Sequence, residues 1–272
     1  MTMLLSGYTF IRNGISLGYP FVECILSALP LCEEFVIGIA NDSDDDTAKW
    51  CEKIQAAYPD RVRLFPFDWP AVTQTGTSIG AAQTLLLRQC KGWYAWCIQA
   101  DEAYHPNSLP VIHTAVKQAR YEAFTVPFQH IQNNFQSVID MHTAAYTRAV
   151  RIVRTIPRIQ AHHDGWSFEQ YLSSSDLMFD TPVSHVGYEF CDAICRKWAS
   201  HAKLYYDLEE YQVLAAEWQA KAASGNFGPE FDKTTSPFDL PPILNGLVGM
   251  RDYVVRDGLI EHPEHFGGVA IK

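Results

Sequence analysis

The sequence is short of positive charge. It contains 21 lysines and arginines against 31 aspartates and glutamates, so its 272 residues carry a formal net charge of -10. A protein that binds nucleic acid through the phosphate backbone needs a dominant basic surface. The composition therefore disfavours a nucleic-acid partner. One basic stretch is present, at arginines 148, 151, 154 and 158, and it is interpreted as a solvated face or as a surface for a diphosphate or an anionic acceptor.

Long hydrophobic runs and metal-type cysteine spacings are also missing. No apolar run approaches the roughly 20 residues that a membrane-spanning helix needs, and residues 1–10 lack the basic start of a signal peptide. The seven cysteines include no Cys-x-x-Cys pair and lie mostly in apolar stretches, which is typical of reduced thiols. We therefore expect a cytoplasmic protein without a transmembrane segment. The oligomeric state stays open.

Apolar runs alternate with helical patterns in the first hundred residues. Strands are predicted at 35–40, 61–65 and 93–98, and helices at about 20–29, 47–57 and 81–89. Alternation of this kind is typical of a mostly parallel sheet with helices on both faces, so the fold class is α/β. Later patterns predict strands at 123–128 and 149–153 and helices at 188–206, 208–223 and about 243–256.

Polar side chains follow the predicted strands where each strand ends. They are Arg12 and Asn13, the segment from Asn41 to Asp46, Asp68 beside Trp69, and the segment from Gln99 to Glu102. Ligands of open parallel sheets bind at the carboxyl ends of the strands. The sequence therefore predicts a ligand site at this edge.

Two of these segments carry motifs, each with a structural alternative. The turn Asn41-Asp-Ser-Asp-Asp-Asp-Thr47 concentrates acids that either contact a ligand or cap the next helix through Ser43 or Asp44. In Gln99-Ala-Asp-Glu102, the acids either hold a divalent cation on substrate phosphates or mark an ordinary turn.

The order of these motifs resembles the glycosyltransferase family 2 type of GT-A fold. That family has a DDGSxDxT-like turn after a strand, and later a helix leading into a GDYxxFLDxDD strand. Here the turn is the 41–47 motif, and the later strand is Gly92-Trp-Tyr-Ala-Trp-Cys-Ile-Gln-Ala-Asp-Glu102. The opening Phe10-Ile-Arg-Asn13 is similar to the family's first strand exit. The resemblance covers residues 5–105 well and fades towards the C-terminus.

The resemblance implies transfer of a sugar from a nucleotide-diphosphate sugar, most often a UDP-sugar, to a carbohydrate hydroxyl. It also implies Mn²⁺ or Mg²⁺ on the diphosphate, with Asp101 as the metal-binding acid and the imidazole of His185 returning to the metal. Gln99 departs from the family's first acid, which places the metal affinity in question. The implied donor-binding residues are Phe10, Arg12, Asn13, Asn41, Asp42, Asp45, Asp68, Trp69, Gln83, Gln99 and Ala100.

An inverting transfer also needs a carboxylate that accepts the proton of the acceptor hydroxyl. Asp164, in the Gly-marked loop His162-His-Asp-Gly165, is the first choice, and Asp140 is the second. Whether the transfer inverts or retains the anomeric configuration stays open, and both acids also fit simple loop positions.

Two other functions compete with a transferase. Gly76-Thr-Ser-Ile-Gly80 fits the nucleophile elbow of serine hydrolases, with Ser78 followed by Asp164 and His185 in hydrolase order. Polar residues precede Gly76 where that motif needs a strand, however. The second alternative is a nucleotide-sugar-binding module that has lost turnover, which Gln99 makes conceivable.

The expected organisation is one GT-A-like domain with an appended segment. Residues 1–187 form the predicted catalytic domain, with a donor half at about 1–105 and an acceptor half at about 106–187. Residues 188–272 form a predicted helical C-terminal extension.

Overall fold

A computed structural model gives the architecture of the chain. It describes residues 3–71, 77–132, 135, 137–139, 146–187, 190, 193, 196–197, 200, 213, 216, 233–234, 239–250 and 252–271. The α-helices that lie wholly within the described residues are α1 (Phe21–Ala28), α2 (Thr47–Ala57), α3 (Thr77–Leu87) and α4 (Leu109–Gln118). The strands are β1 (Leu5–Ile11), β2 (Glu34–Ala40), β3 (Val62–Phe67), β4 (Tyr94–Cys97), β5 (Glu102–Ala103), β6 (Ala123–Gln132), β7 (Ser137–Ile139), β8 (Arg148–Arg154), β9 (Gln160–His162), β10 (Ser167–Glu169), β11 (Ser174–Asp176), β12 (Val183–His185) and β13 (Lys233–Thr234).

Eleven of the described strands form one mixed sheet, whose main path runs β13-β7-β6-β8-β4-β1-β2-β3. β4, β1, β2 and β3 are parallel, whereas β8 is antiparallel to both β4 and β6. The predicted parallel sheet is therefore confirmed for the first hundred residues. Because the parallel strands end at one edge, their exit loops meet there.

Helices cover both faces of the sheet. Phe35 and Ile37 of β2 pack into one core with α1, α2 and α4, while Val36 points into a second core with α3. This alternation follows from the two-residue period of a strand, which sends successive side chains to opposite faces. The fold class is thus an α/β sheet of the GT-A type, as the sequence predicted.

The short strand β12 connects distant parts of the site. It runs parallel to β6 and antiparallel to β5, and this register places His185 beside both His130 and Glu102. A His that lies more than eighty residues beyond β4 is therefore brought back to the loop that follows β4.

Residues near the C-terminus pack onto the first core. Leu244, Leu247, Tyr253 and Ile260 are buried in the same cluster as α1. The predicted helix at 243–256 is instead a short 3-10 segment, Pro242–Leu247, and Gly249 follows it with a φ of 89°, a conformation that ends a right-handed helix. The helices predicted at 188–206 and 208–223 lie largely outside the described residues, and the domain boundary at 187 stays a prediction.

Among the described residues, no helix has both the length and the hydrophobicity needed to span a membrane.

Candidate functional site

The exit loops of β1 and β2 are joined to each other by hydrogen bonds. The backbone N–H of Asn13 donates to Ser43 Oγ at 3.1 Å, and the backbone N–H of Asp44 donates to Asn13 Oδ1 at 2.8 Å. Asn13 adopts a φ of 53°, a left-handed conformation that Asn tolerates better than most residues. Its side chain therefore positions the acidic turn, and its contact with a nucleotide stays a prediction.

Asp45 has a similar structural use. Its carboxylate accepts the backbone N–H of Ser16 at 2.7 Å and that of Thr47 at 3.0 Å. The first residue before α2 is Asp46, and its side chain makes no capping bond to the described helix start. Neither Ser43 nor Asp44 occupies the cap position, so the acids of this turn link loops and only in part support the helix.

The remaining donor-side residues form a partly exposed cluster across the ends of β1, β2 and β3. Arg12 Nη2 lies 2.7 Å from Asp42 Oδ2, and Asn41 Nδ2 donates to Asp68 Oδ1 at 2.8 Å. The ring of Trp69 lies 5.7 Å from the Arg12 guanidinium carbon. An aromatic face beside amide and carboxylate groups is suited to stack on a nucleobase and to bind its polar edge.

The ring of Trp69 packs against two phenylalanine rings. Its ring centroid lies 6.2 Å from that of Phe10 and 5.9 Å from that of Phe67. Phe10 therefore contributes to this site by holding Trp69, and the sequence prediction of both residues at one place is consistent with the geometry.

The two predicted metal ligands lie together at the end of β4. Asp101 Oδ2 is 3.6 Å from His185 Nε2, and the backbone N–H of Val186 donates to the Asp101 carbonyl at 2.7 Å. The same carboxylate oxygen also accepts Lys197 Nζ at 3.0 Å. Lys197 belongs to no motif in the sequence. The one indication against a metal here was Gln99, which stands where the family pattern has an acid and so leaves less negative charge for a metal.

Burial keeps the imidazole of His185 neutral. It lowers the pKa of His185 to about 3, against the opposing charge of Asp101. His130 Nε2 lies 2.6 Å from the carbonyl of Tyr146, and His130 Nδ1 lies 3.2 Å from His185 Nδ1. Because a carbonyl only accepts, His130 Nε2 carries its proton and His185 Nδ1 donates to His130. The lone pair of His185 Nε2 is then directed to the Asp101 side.

Glu102 is separated from this site by a pairing of its own. Arg151 Nη2 donates to Glu102 Oε1 at 2.7 Å and Arg151 Nε lies 2.9 Å from Oε2, and neither side chain is exposed to solvent. Burial opposes the charge of Arg151, but the Glu102 carboxylate more than offsets it and raises the pKa of Arg151. The interpretation of Arg151 as part of a solvated face is wrong, since it neutralises a buried acid.

Gln99 holds the loop that carries the predicted base. Its side-chain Nε2 donates to the carbonyl of Gly165 at 2.9 Å, and Asp164 Oδ1 accepts the backbone N–H of Trp166 at 3.2 Å. Trp166, which the sequence analysis did not single out, is 40% exposed. This places a half-buried carboxylate and an exposed aromatic face in the loop next to Gln99.

Three predicted positions on α3 do not face an open site. Gln83 and Ser78 are fully buried, and their side-chain polar atoms have no hydrogen-bond partner among the described residues. Gly80 approaches the loop of Asp164, because its N–H donates to the His163 carbonyl at 3.0 Å and a Cβ there would lie 2.2 Å from that oxygen. The absence of a side chain at Gly80 allows α3 to contact the 162–165 loop.

Two other predicted positions complete the set. Ala100 is half-buried in the turn between Gln99 and Asp101. Asp140, the second choice for a base, lies outside the described residues.

The described residues around Asp101 and His185 do not fit a divalent cation in this arrangement. Gln99 supplies no charge, and the Asp101 carboxylate is paired with the Lys197 ammonium. Hard divalent cations are held by several oxygen ligands of net negative charge. The one group of three close metal-type ligands in the described chain is His262, Glu264 and His265, which is fully on the surface.

The chain matches one protein-family model, described as "Glycosyltransferase like family 2", over residues 22–186, which is more than half of its length. No curated protein matches it. Similar solved structures include S. aureus TarS 1-349, with 14% identity over 82% of this chain and 72% of that chain and a TM-score of 0.44. The same TarS fragment in complex with UDP-GlcNAc has 15% identity over 82% and 73%, with a TM-score of 0.46.

Proposed function

The chain belongs to the glycosyltransferase-like family 2, and from this premise we propose that it transfers a sugar from a nucleotide-diphosphate sugar to a carbohydrate hydroxyl. UDP is the proposed nucleotide of the donor. The observation that carries the proposal is that the aromatic and polar cluster after β1, β2 and β3 and Asp101 after β4 lie at the same edge of the sheet.

The donor nucleotide would lie along this edge. The ring of Trp69 offers a stacking face, while Asn41 and Asp42 supply the amide and carboxylate that a base or ribose needs. Asn41 and Asp42 are exposed and Trp69 is half-buried, and Arg12 and Asp68 hold the two polar side chains in place. The arrangement favours binding of the nucleotide with its diphosphate towards Asp101.

The acceptor would lie against the loop that Gln99 fixes. Exposed Trp166 offers a face on which a sugar ring can pack, and Asp164 is the carboxylate of the same loop. In an inverting transfer the acceptor oxygen bonds to the anomeric carbon, the bond from that carbon to the diphosphate oxygen breaks, and the acceptor proton passes to Asp164. The nucleoside diphosphate then leaves with the bonding electron pair.

The proposed cytoplasmic location is supported by the cysteines. Cys24, Cys32, Cys51, Cys90 and Cys97 are free thiols, and four of the five are buried. Burial raises the pKa of the Cys97 thiol to about 12, so it is an unreactive core residue. Reduced core thiols are typical of reducing compartments.

A panel of nucleotide sugars tests the proposed function. Thermal shift and donor hydrolysis would be measured with UDP- and GDP-sugars, each in EDTA and in Mn²⁺. We expect one donor to raise the melting temperature and to be hydrolysed slowly. Absence of both responses for every donor would rule out the proposal, whereas tight binding without turnover on any acceptor would favour the lapsed binding module.

The base is tested separately with Asp164→Asn. This variant should retain the thermal shift with donor but lose roughly 10²- to 10⁴-fold in transfer rate, the usual contribution of a general base. Asp60→Asn, at an exposed loop position after α2, is the matched control and should transfer at the wild-type rate. Wild-type turnover by Asp164→Asn would remove Asp164 from the mechanism.

A further inference from the structure

The carboxylate that the family resemblance assigned to a metal already binds a cation that belongs to the chain. Lys197 Nζ lies 3.0 Å from Asp101 Oδ2, and the two side chains are 2% and 11% exposed. The same oxygen lies 3.6 Å from His185 Nε2. Asp101 therefore already has a cation of the chain at hydrogen-bond distance, and His185 lies beside this pair.

Lys197 is fixed at this edge by a second contact. Its Nζ lies 4.0 Å from the ring centroid of Tyr19, which is within the range of a cation–π interaction. Tyr19 follows the exit of β1, Asp101 follows β4, and His185 ends β12. The ammonium thus lies where three loops of the predicted donor edge converge.

Among the described residues, the charges around this point are already paired. Asp101 is paired with Lys197, Glu102 is paired with Arg151, and Gln99 uses its amide N–H₂ on the Gly165 carbonyl. The cluster therefore has no excess negative charge to attract a dication. A divalent ion on Asp101 would also lie close to the Lys197 ammonium, where like charges repel strongly because both are shielded from water.

We propose that Lys197 takes the place of the divalent cation in this glycosyltransferase. Its ammonium, held by Asp101, supplies the positive charge beside the leaving nucleoside diphosphate, so that donor binding and transfer need no metal. Lys197 stays protonated throughout, and the electron pair of the broken bond leaves with the diphosphate. This inference rests on the proposed function, since it assigns the charge partner of the same donor.

Nucleotide affinity tests the inference through binding alone. Calorimetric titration with UDP and GDP would be run in EDTA and in Mn²⁺ on the wild type, Lys197→Met, Lys197→Arg and the control Lys117→Met, which alters an exposed lysine of α4. For the nucleotide that binds, we expect wild type and Lys117→Met to have affinities within about threefold in the two conditions. Lys197→Met should lose at least tenfold in EDTA, and Lys197→Arg, which keeps the charge, should lose much less.

Two outcomes of this titration would overturn the inference. One is a wild type whose affinity rises tenfold or more on adding Mn²⁺. The other is Lys197→Met that binds nucleotide in EDTA as tightly as the wild type.

A second measurement needs no nucleotide. It tests whether Lys197 prevents Mn²⁺ from binding to Asp101, and it does so even if the proposed function fails. Binding of Mn²⁺ alone would be followed by the loss of its free electron-paramagnetic-resonance signal. We expect Asp101→Asn to leave the weak binding by wild type unchanged, because Lys197 already occupies Asp101. Lys197→Met should gain a Mn²⁺ site that Asp101→Asn removes in the same background. Wild-type Mn²⁺ binding that Asp101→Asn abolishes would refute the replacement.

Discussion

Two arginine–carboxylate pairs of this chain have the same length and opposite surroundings. Arg12 Nη2 to Asp42 Oδ2 and Arg151 Nη2 to Glu102 Oε1 are both 2.7 Å. The first pair has side chains 35% and 51% exposed, whereas the second is fully buried. Water screens the first pair and leaves its groups accessible, while the second has exchanged all of its hydration for contacts within the protein.

The two pairs therefore differ in burial and not in contact distance. The exposed pair lies at the predicted donor edge, and the buried pair lies within the sheet that supports this edge. The exposed pair can rearrange around a ligand at little cost. The buried pair fixes β5 against β8, and the Arg151 guanidinium also donates to the Trp166 carbonyl at 2.5 Å. It thereby links the strand after Asp101 to the loop of Asp164. Asp101–Lys197 is closer to the buried pair, with side chains 11% and 2% exposed.

The buried pair gives the largest expected effect. Arg151→Met leaves the Glu102 carboxylate buried without its cation, so we expect the free energy of unfolding to fall by about 3–5 kcal/mol. Urea unfolding measures the change. The double variant Arg151→Met/Glu102→Gln should recover part of the loss, because it removes the uncompensated charge. A loss of less than about 1 kcal/mol in the single variant would break the comparison.

Glu23 offers a buried carboxylate with a weaker cation. Tyr253 Oη donates to it at 2.8 Å, but Arg256 Nη2 is 3.4 Å away, and burial raises the pKa of Glu23 from 4.5 to about 7. The folded protein thus keeps a proton that the unfolded chain releases above about pH 4.5. The stabilisation from this proton is complete below pH 4.5 and is lost as the pH rises to about 7.

The expected result is a pH-dependent difference between wild type and Glu23→Gln, which cannot titrate. The wild type should lose on the order of 3 kcal/mol relative to the variant between pH 4.5 and pH 7.5. Urea unfolding at several pH values provides the measurement. If the free energies of unfolding of the two proteins changed in parallel with pH, the Glu23 carboxylate would be stabilised by its partners and would not take up a proton in this range.

Gln99 lies between the buried Arg151–Glu102 pair and the exposed donor edge, and its substitution tests how the loop of Asp164 is held. Gln99→Ala removes the bond to the buried Gly165 backbone, which should cost about 1 kcal/mol of stability and raise KM for the acceptor more than for the donor. Gln99→Asp restores the acid of the family pattern but cannot donate to a carbonyl, so it should lose as much. Retention of full stability and acceptor KM by either variant would contradict the positioning role.

The exposed pair gives the smallest expected effect on stability. Arg12→Met should change the free energy of unfolding by less than about 1 kcal/mol, the opposite of Arg151→Met. Under the proposed function it should still weaken nucleotide binding several-fold, because Arg12 holds Asp42 and lies over Trp69. Chemical denaturation and calorimetric titration separate the two effects. A stability loss equal to that of Arg151→Met would remove the contrast between the pairs.

Local patterns in the sequence were sufficient for the parallel half of the fold. The apolar runs around Val36, Leu64 and Trp96 became β2, β3 and β4, since short hydrophobic runs between helical patterns have few other stable arrangements. The same alternation predicts that the polar residues directly after these strands lie at one edge of the sheet. Arg151 could not be interpreted in this way, because an arginine within a strand is the same in sequence whether it faces water or a buried acid.

The sequence by itself determined the α/β sheet and the common edge at which the polar residues after its parallel strands lie, because both depend on strand order and on where each strand ends. Only the tertiary structure decided which charge meets which. The register of β12 brings His185 to Asp101, and Lys197 reaches Asp101 across 96 positions of sequence. Charge pairing depends on distances and burial in space, and neither has a local signature in the chain.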